Sequence, residues 1–283
     1  MIGQYLITFR EVFEAALMTS IILSYLIRTG RRLLTRYVWY GVYFAVTASL
    51  GVGAATWILY GSLSRSGQLL FETIAAFTAV LVLSSMIYWM TVKGKSVKKE
   101  TERRIEKVIA KGAILSLALI AFITVFREGL ETMLFLIPFL IEDRIGTLIG
   151  LSIGTTTALS LSYGIFIVGA KIDIRKFFYF TSILLILLAG GLAGYGTHEL
   201  LEYYEGIGVD VGWLGETAYA LNIPEGNLLH HNGVVGSIFA VMFGYTVKAE
   251  WARIIVHLAY LVVALTIFSM LQRSLALNLK RNS

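Results

Sequence analysis

The sequence predicts an all-α polytopic membrane protein. The expected architecture is seven transmembrane helices: an inverted repeat of two three-helix units plus one additional helix, with the N-terminus outside and the C-terminus inside. Three observations carry this. Hydrophobic residues make up 57% of the 283 positions and the mean hydropathy is +0.75, whereas globular chains are about 45–50% apolar. Basic residues gather in alternate connections between apolar runs. One charged hexapeptide occurs twice, as Phe9-Arg10-Glu11-Val12-Phe13-Glu14 and as Phe126-Arg127-Glu128-Gly129-Leu130-Glu131.

The spans follow from runs long enough to cross a bilayer. They lie at about 4–27, 38–60, 70–92, 112–140, 146–169, 177–198 and 252–272. Pro138 falls inside the fourth span and is expected to kink it. The first loop carries Arg28, Arg31, Arg32 and Arg36 without an acid, and the third is dense in lysine and arginine from Lys93 to Lys111. The fifth loop has Lys171, Arg175 and Lys176, and the tail has Arg273, Lys280 and Arg281. The second and fourth loops hold one arginine each, Arg65 and Arg144. Basic loops face the cytoplasm, which sets the orientation and requires an odd number of spans.

Repeat one therefore runs over about 4–92 and repeat two over about 112–198, with a cytoplasmic basic loop at 93–111 between them. That loop reads as a solvated helical extension of the fourth span. Residues 199–250 form an outer acidic segment, and its apolar stretch 233–247 is short enough to be re-entrant or surface-lying. Three spans per repeat is an odd number, so the second repeat enters the membrane from the opposite side.

Composition excludes several classes. Cysteine is absent, which removes disulfides, thiolate metal sites and iron–sulfur clusters. The net charge of +6 sits in cytoplasmic loops, so it reads as topology and not as nucleic-acid binding. No basic region precedes the first apolar run, so a cleavable signal peptide is not expected, nor is a sizeable soluble domain. No P-loop is present to couple transport to a nucleotide.

Within each hexapeptide, the two glutamates fall three positions apart and the arginine falls four from the second glutamate, on one helix face. A charged side chain at a membrane helix centre costs roughly 2.5–3.5 kcal/mol even on the lenient insertion scale. Six such residues must face the bundle interior and pair, or bind something. One arginine neutralises one glutamate, and each motif has a second. The two motifs either staple helices together or hold a cation, and the surplus carboxylates favour the cation. Glu11, Glu14, Glu128 and Glu131 are the candidate ligands, with Arg10 and Arg127 as charge partners. Carboxylate oxygens select a hard ion, but they do not separate iron from manganese, magnesium, calcium or a proton.

His198, Glu199 and Glu202, at turn spacing where the sixth span ends, are either an outer-mouth metal site or an ordinary wet helix end. The small residues from Ala189 to Gly196 admit a close helix neighbour. Glu72 reads as interfacial, His230 and His231 as solvated, and His257 as packed.

These residues carry a resemblance. The two Arg-Glu-x-x-Glu motifs, the second in the form Arg127-Glu128-Gly129-Leu130-Glu131, are similar to those of the high-affinity, oxidase-dependent iron permeases. So are His198-Glu199-x-x-Glu202 and Phe243-Gly244-Tyr245. The first motif departs from the family form at Val12-Phe13 but keeps its charges. The resemblance implies a multi-pass protein of the cell membrane that carries iron, in its ferric form, into the cell. It implies the motif glutamates as iron ligands and a separate protein that oxidises or delivers the metal. Iron would be cargo, with no cofactor; assembly as a homo-oligomer stays open. A membrane-embedded di-iron oxidoreductase, a permease for another hard divalent metal, and an assembly subunit are the competing classes.

Overall fold

The structure is a computed structural model that describes residues 2–93, 97–110, 115–166, 174–224, 227–230 and 234–281. The expected span ends at 112–114 and 167–169 lie outside the described residues, as do Lys95, Lys111, Lys171, Glu225 and His231.

The long apolar runs are helices. They are α1 (Ile2–Arg28), α2 (Thr35–Gly61), α3 (Arg65–Lys93), α5 (Leu115–Glu142), α6 (Arg144–Phe166), α7 (Ile174–Gly206) and α9 (Trp251–Arg281). Two shorter helices join them: α4 (Val97–Ala110) and α8 (Val234–Phe243). Among the described residues, α2, α3, α6, α7 and α9 each hold a stretch long and apolar enough to cross a membrane. The two motif helices, α1 and α5, match them in length at 27 and 28 residues. Their apolar runs are broken by an arginine and two glutamates each. Outward faces stay apolar, as in Phe44, Ile58 and Val262, each more than 60% exposed. Lipid, not water, is the solvent that suits such faces.

Packing pairs the helices across the chain. α1 lies along α6, α2 along α5, and α3 along α7, while α1 also crosses α5. Exchanging the first three of these helices with α5, α6 and α7 interchanges the α1–α6 and α2–α5 pairings and maps α3–α7 and α1–α5 onto themselves. Residue neighbours give the directions. Gly41 faces Ala118, Gly129 faces Ser49 and Gly53 faces Met133, so α2 and α5 run parallel. Gln4 reaches Thr147 and Gly154 faces Tyr5, Thr8 and Phe9, so α1 and α6 also run parallel. Arg65 meets Glu202 and Gly196 meets Ala76, so α3 and α7 are antiparallel. A core of Ile7, Leu83, Phe135, Ile186 and Leu192 fills the centre of the bundle.

Two glycines let the backbones of paired helices approach closely. A Cβ at Gly41 would stand 2.2 Å from the Ala118 carbonyl oxygen, and one at Gly154 would stand 2.9 Å from that of Tyr5. Backbone cannot give way as a side chain can, so α5 would have to shift. Gly41→Ala is expected to destabilise the protein by about 1–3 kcal/mol, the cost of an overpacked core. Gly51→Ala, on the same helix with nothing within 4 Å, should be neutral or slightly stabilising. Melting of the two variants in detergent decides this; equal midpoints would refute the tight α2–α5 contact.

Two expectations need correction. α7 does not stop near 198 but continues to Gly206, because Glu, Leu and Tyr sustain a helix beyond the apolar run. It stops where Gly208 takes φ +80° and the Val209 N–H reaches back to the Tyr204 carbonyl. The basic loop is not merely a solvated extension of α5. It contains α4, whose Ile105 is fully buried among Ile22, Leu26, Val38, Leu117 and Ala121. Glu72, near the start of α3, is 3% exposed and so is enclosed by protein. The short helix α8 has ten residues, too few to span. A two-stranded antiparallel pair, β1 (Thr217–Ala220) with β2 (Lys248–Glu250), ties the segment after α7 to the start of α9.

Candidate functional site

Helix spacing brings each motif's charges to one face, and the crossing of α1 and α5 brings the faces together. Oxygens of Glu11, Glu128 and Glu131 lie within 4.8 Å of one another. Glu11 and Glu128 are at most 1% exposed. One oxygen of each of the three, Oε2, has no hydrogen-bond partner among the described residues.

Each arginine serves both glutamates of its motif. Arg10 Nη1 donates to Glu11 Oε1 at 2.6 Å, and Nη2 lies 2.5 Å from Glu14 Oε1. Arg127 Nη2 lies 2.5 Å from Glu128 Oε1, with Nε 3.6 Å from Glu131 Oε1. Charge balance allots one carboxylate to each arginine, but the guanidinium fork spans two. The halves also differ in burial. The Arg10 side chain is 2% exposed and also donates to the sulfurs of Met86 and Met90, at 2.7 and 3.0 Å. The Arg127 side chain is 53% exposed and lies over the Trp89 ring.

The second predicted cluster also forms. Ligand atoms of His198, Glu199 and Glu202 come within 4.8 Å of one another. His198 Nδ1 is 3.2 Å from Glu250 Oε1, and Glu202 is 2.9 Å from Arg65. Burial pushes the Glu250 carboxyl up, but the hydrogen bond and charge of His198, with Arg253 nearby, outweigh it and hold the group below the ordinary carboxylate range. Sequence reasoning missed two residues here. Glu250 reaches His198 only because β2 pairs with β1, a long-range contact. Glu72 accepts hydrogen bonds from Tyr60, at 2.7 Å, and from Tyr195. A carboxylate one helix turn inside an apolar run was the signal available for it. His230 is buried and not solvated, and His257 is packed as expected.

Two cavities lie on either side of the motif carboxylates. One of about 320 Å³ is lined by Glu72, His198, Glu199 and, on α5, Pro138 and Phe139. The other, of about 670 Å³, is lined by Glu14, Arg127 and Glu128 together with residues of α4. Between Glu131 and the first cavity, which begins at Pro138, α5 carries the buried Phe135. Of the motif carboxylates, Glu14 and Glu128 line the cavity on the α4 side, and none lines the cavity at His198.

The profile of the iron permease FTR1 family matches residues 1–270. The chain belongs to that family. It is 45% identical over 265 residues to an uncharacterised protein of Archaeoglobus fulgidus, covering 94% of this chain and 93% of that one. It is 34% identical over 280 residues to the ferrous iron permease EfeU of Yersinia pestis, covering 96% and 94%. The ferrous iron permease EfeU of Escherichia coli O157:H7 is 30% identical over 278 residues, covering 95% and 96%. No solved structure matches. For this FTR1-family chain, permease membership points away from catalysis. The imidazole-containing cluster at His198 is separate from the motif carboxylates, which form an all-oxygen set and not the Glu-x-x-His pairs of di-iron bundles.

Proposed function

We propose that this chain carries iron across the cell membrane through the carboxylates shared by α1 and α5. The observation that supports this most directly is that Glu11, Glu128 and Glu131 bring ligand oxygens within 4.8 Å of one another while each keeps a buried oxygen, Oε2, without a protein donor among the described residues. A buried ionised oxygen left unpaired is costly; a hard cation satisfies all three at once.

In this reading the seven long helices all span the bilayer. α1–α3 and α5–α7 are inverted repeats, as their exchangeable pairings suggest, and α9 is the addition. The N-terminus is outside and the C-terminus inside. Iron is gathered at Glu72, His198, Glu199 and Glu202, delivered there by a separate protein. It passes to Glu11, Glu14, Glu128 and Glu131 and leaves on the α4 side as one repeat rocks against the other. Four carboxylates and two guanidinium groups leave two negative charges, which a divalent ion neutralises. That charge match, and the ferrous cargo in the names of the relatives, favour iron(II) over the ferric ion implied by the resemblance to oxidase-dependent transporters.

Uptake of labelled iron into vesicles, with the oxidation state clamped by reductant or oxidant, tests this. Uptake should require reductant and should yield more to excess unlabelled iron(II) than to magnesium or calcium. Uptake that persists only under oxidant assigns ferric cargo. No iron uptake in either condition refutes the reading.

A further inference from the structure

The cavity on the α4 side was absent from the sequence argument, and it carries a specific role for α4. It runs from Glu14 and Glu128 along α1, past Met18, to Glu102 on α4. Glu128 is 1% exposed, lines this space, and keeps an unpartnered oxygen. The far wall is α4 itself. It is held by Ile105, buried against α1, α2 and α5, and by an ion pair of 2.5 Å between Glu102 and Arg28 at the end of α1. The charged residues around the cavity are Glu14, Glu100, Glu102 and Glu128, and Arg28, Arg104 and Arg127. Arg127 is committed to Glu128, and Arg28 to Glu102.

We infer that this cavity is the exit leg of the permeation route, that α4 is its movable floor, and that Glu102 is the last carboxylate to meet the cation before release. The inference rests on the permease reading and deepens it. Arg28 holds Glu102 until a cation competes for the carboxylate; the exchange frees α4 and opens the floor. The pair suits a latch because both partners are partly solvated, with side chains 61% and 26% exposed, and such pairs are weak and easily exchanged. Ile105 supplies the hinge, because an apolar anchor survives breakage of the ion pair.

The chain has no cysteine, so a single Thr124→Cys substitution gives a clean reporter. Thr124 lines the cavity one turn from Glu128. A membrane-impermeant thiol reagent should reach position 124 from the α4 face and not from the His198 face. Adding Glu102→Gln should raise the labelling rate several-fold; iron(II) should raise it in the protein that keeps Glu102 and have no further effect in the Glu102→Gln variant. In vesicles, Glu102→Gln should change the iron uptake rate several-fold while iron retained at the motif glutamates, measured by equilibrium binding, stays unchanged. Label that enters only from the His198 face, or not at all, overturns the exit route. Labelling and uptake both indifferent to Glu102→Gln overturn the latch. The labelling arm reads the cavity whatever the cargo, so failure of the iron reading, seen as no uptake by the unmodified protein, is distinguishable from failure of this one.

Discussion

Glu128→Gln is expected to lower iron uptake by at least about a hundredfold, with normal protein abundance in the membrane. The change is nearly isosteric, so packing around α5 is kept. What it removes is one negative charge from a buried set of three. Two unit charges about 4 Å apart interact by about 4 kcal/mol at an effective dielectric near 20, and a divalent ion doubles the effect. About 4 kcal/mol corresponds to roughly three orders of magnitude in occupancy, so a hundredfold loss is a conservative reading. Glu11→Gln should behave alike, since Glu11 shares the cluster and is equally buried. Glu106→Gln, on the exposed face of α4, should leave uptake untouched. Per-molecule uptake of labelled iron measures all three. A Glu128→Gln protein that transports as well as the unmodified chain would remove the carboxylate site from the route.

Much of this site was legible because charge is conspicuous in an apolar run. The positions of Arg10, Glu11 and Glu14, and of their counterparts, gave both the face and the pairing of the motifs. Two kinds of feature were hidden. The first depends on contacts distant in sequence: Met86 and Met90 reach Arg10 across 76 and 80 positions, and Glu250 reaches His198 through a strand pair. No local pattern reports such contacts. The second was visible but read through composition. Ile105, Val108 and Ile109 fall at helical spacing in the basic loop, an apolar stripe sufficient to dock α4. The abundance of lysine and arginine drew that segment toward solvent instead. Span boundaries were set by where polarity rises, which locates the edge of the lipid and not the end of the helix, so α7 was cut short.

The asymmetry between the two arginines yields the second large effect. Arg10→Gln should destabilise the protein severely, whereas Arg127→Gln should mainly impair transport. Arg10 is enclosed by Glu11, Glu14 and two thioether sulfurs. Removing it leaves Glu11 and Glu14 buried without their ion-pair partner, beside a Glu128 cluster that Arg127 already serves. Breaking a buried pair by deleting one partner costs about 3–5 kcal/mol, which for a chain of this size corresponds to a fall of roughly 10 °C in melting temperature. Arg127 is half in the α4-side cavity, where water replaces much of what its loss removes; a drop of no more than about 1 kcal/mol is expected there. The decisive construction is the double variant Arg10→Gln with Glu14→Gln. It removes a positive and a negative charge together, so it should recover most of the lost stability without recovering uptake. If the single Arg10 variant melts like the unmodified protein, or if the double variant is no more stable than the single one, then the guanidinium is not neutralising buried carboxylates. The motif on α1 would then be held together by packing alone.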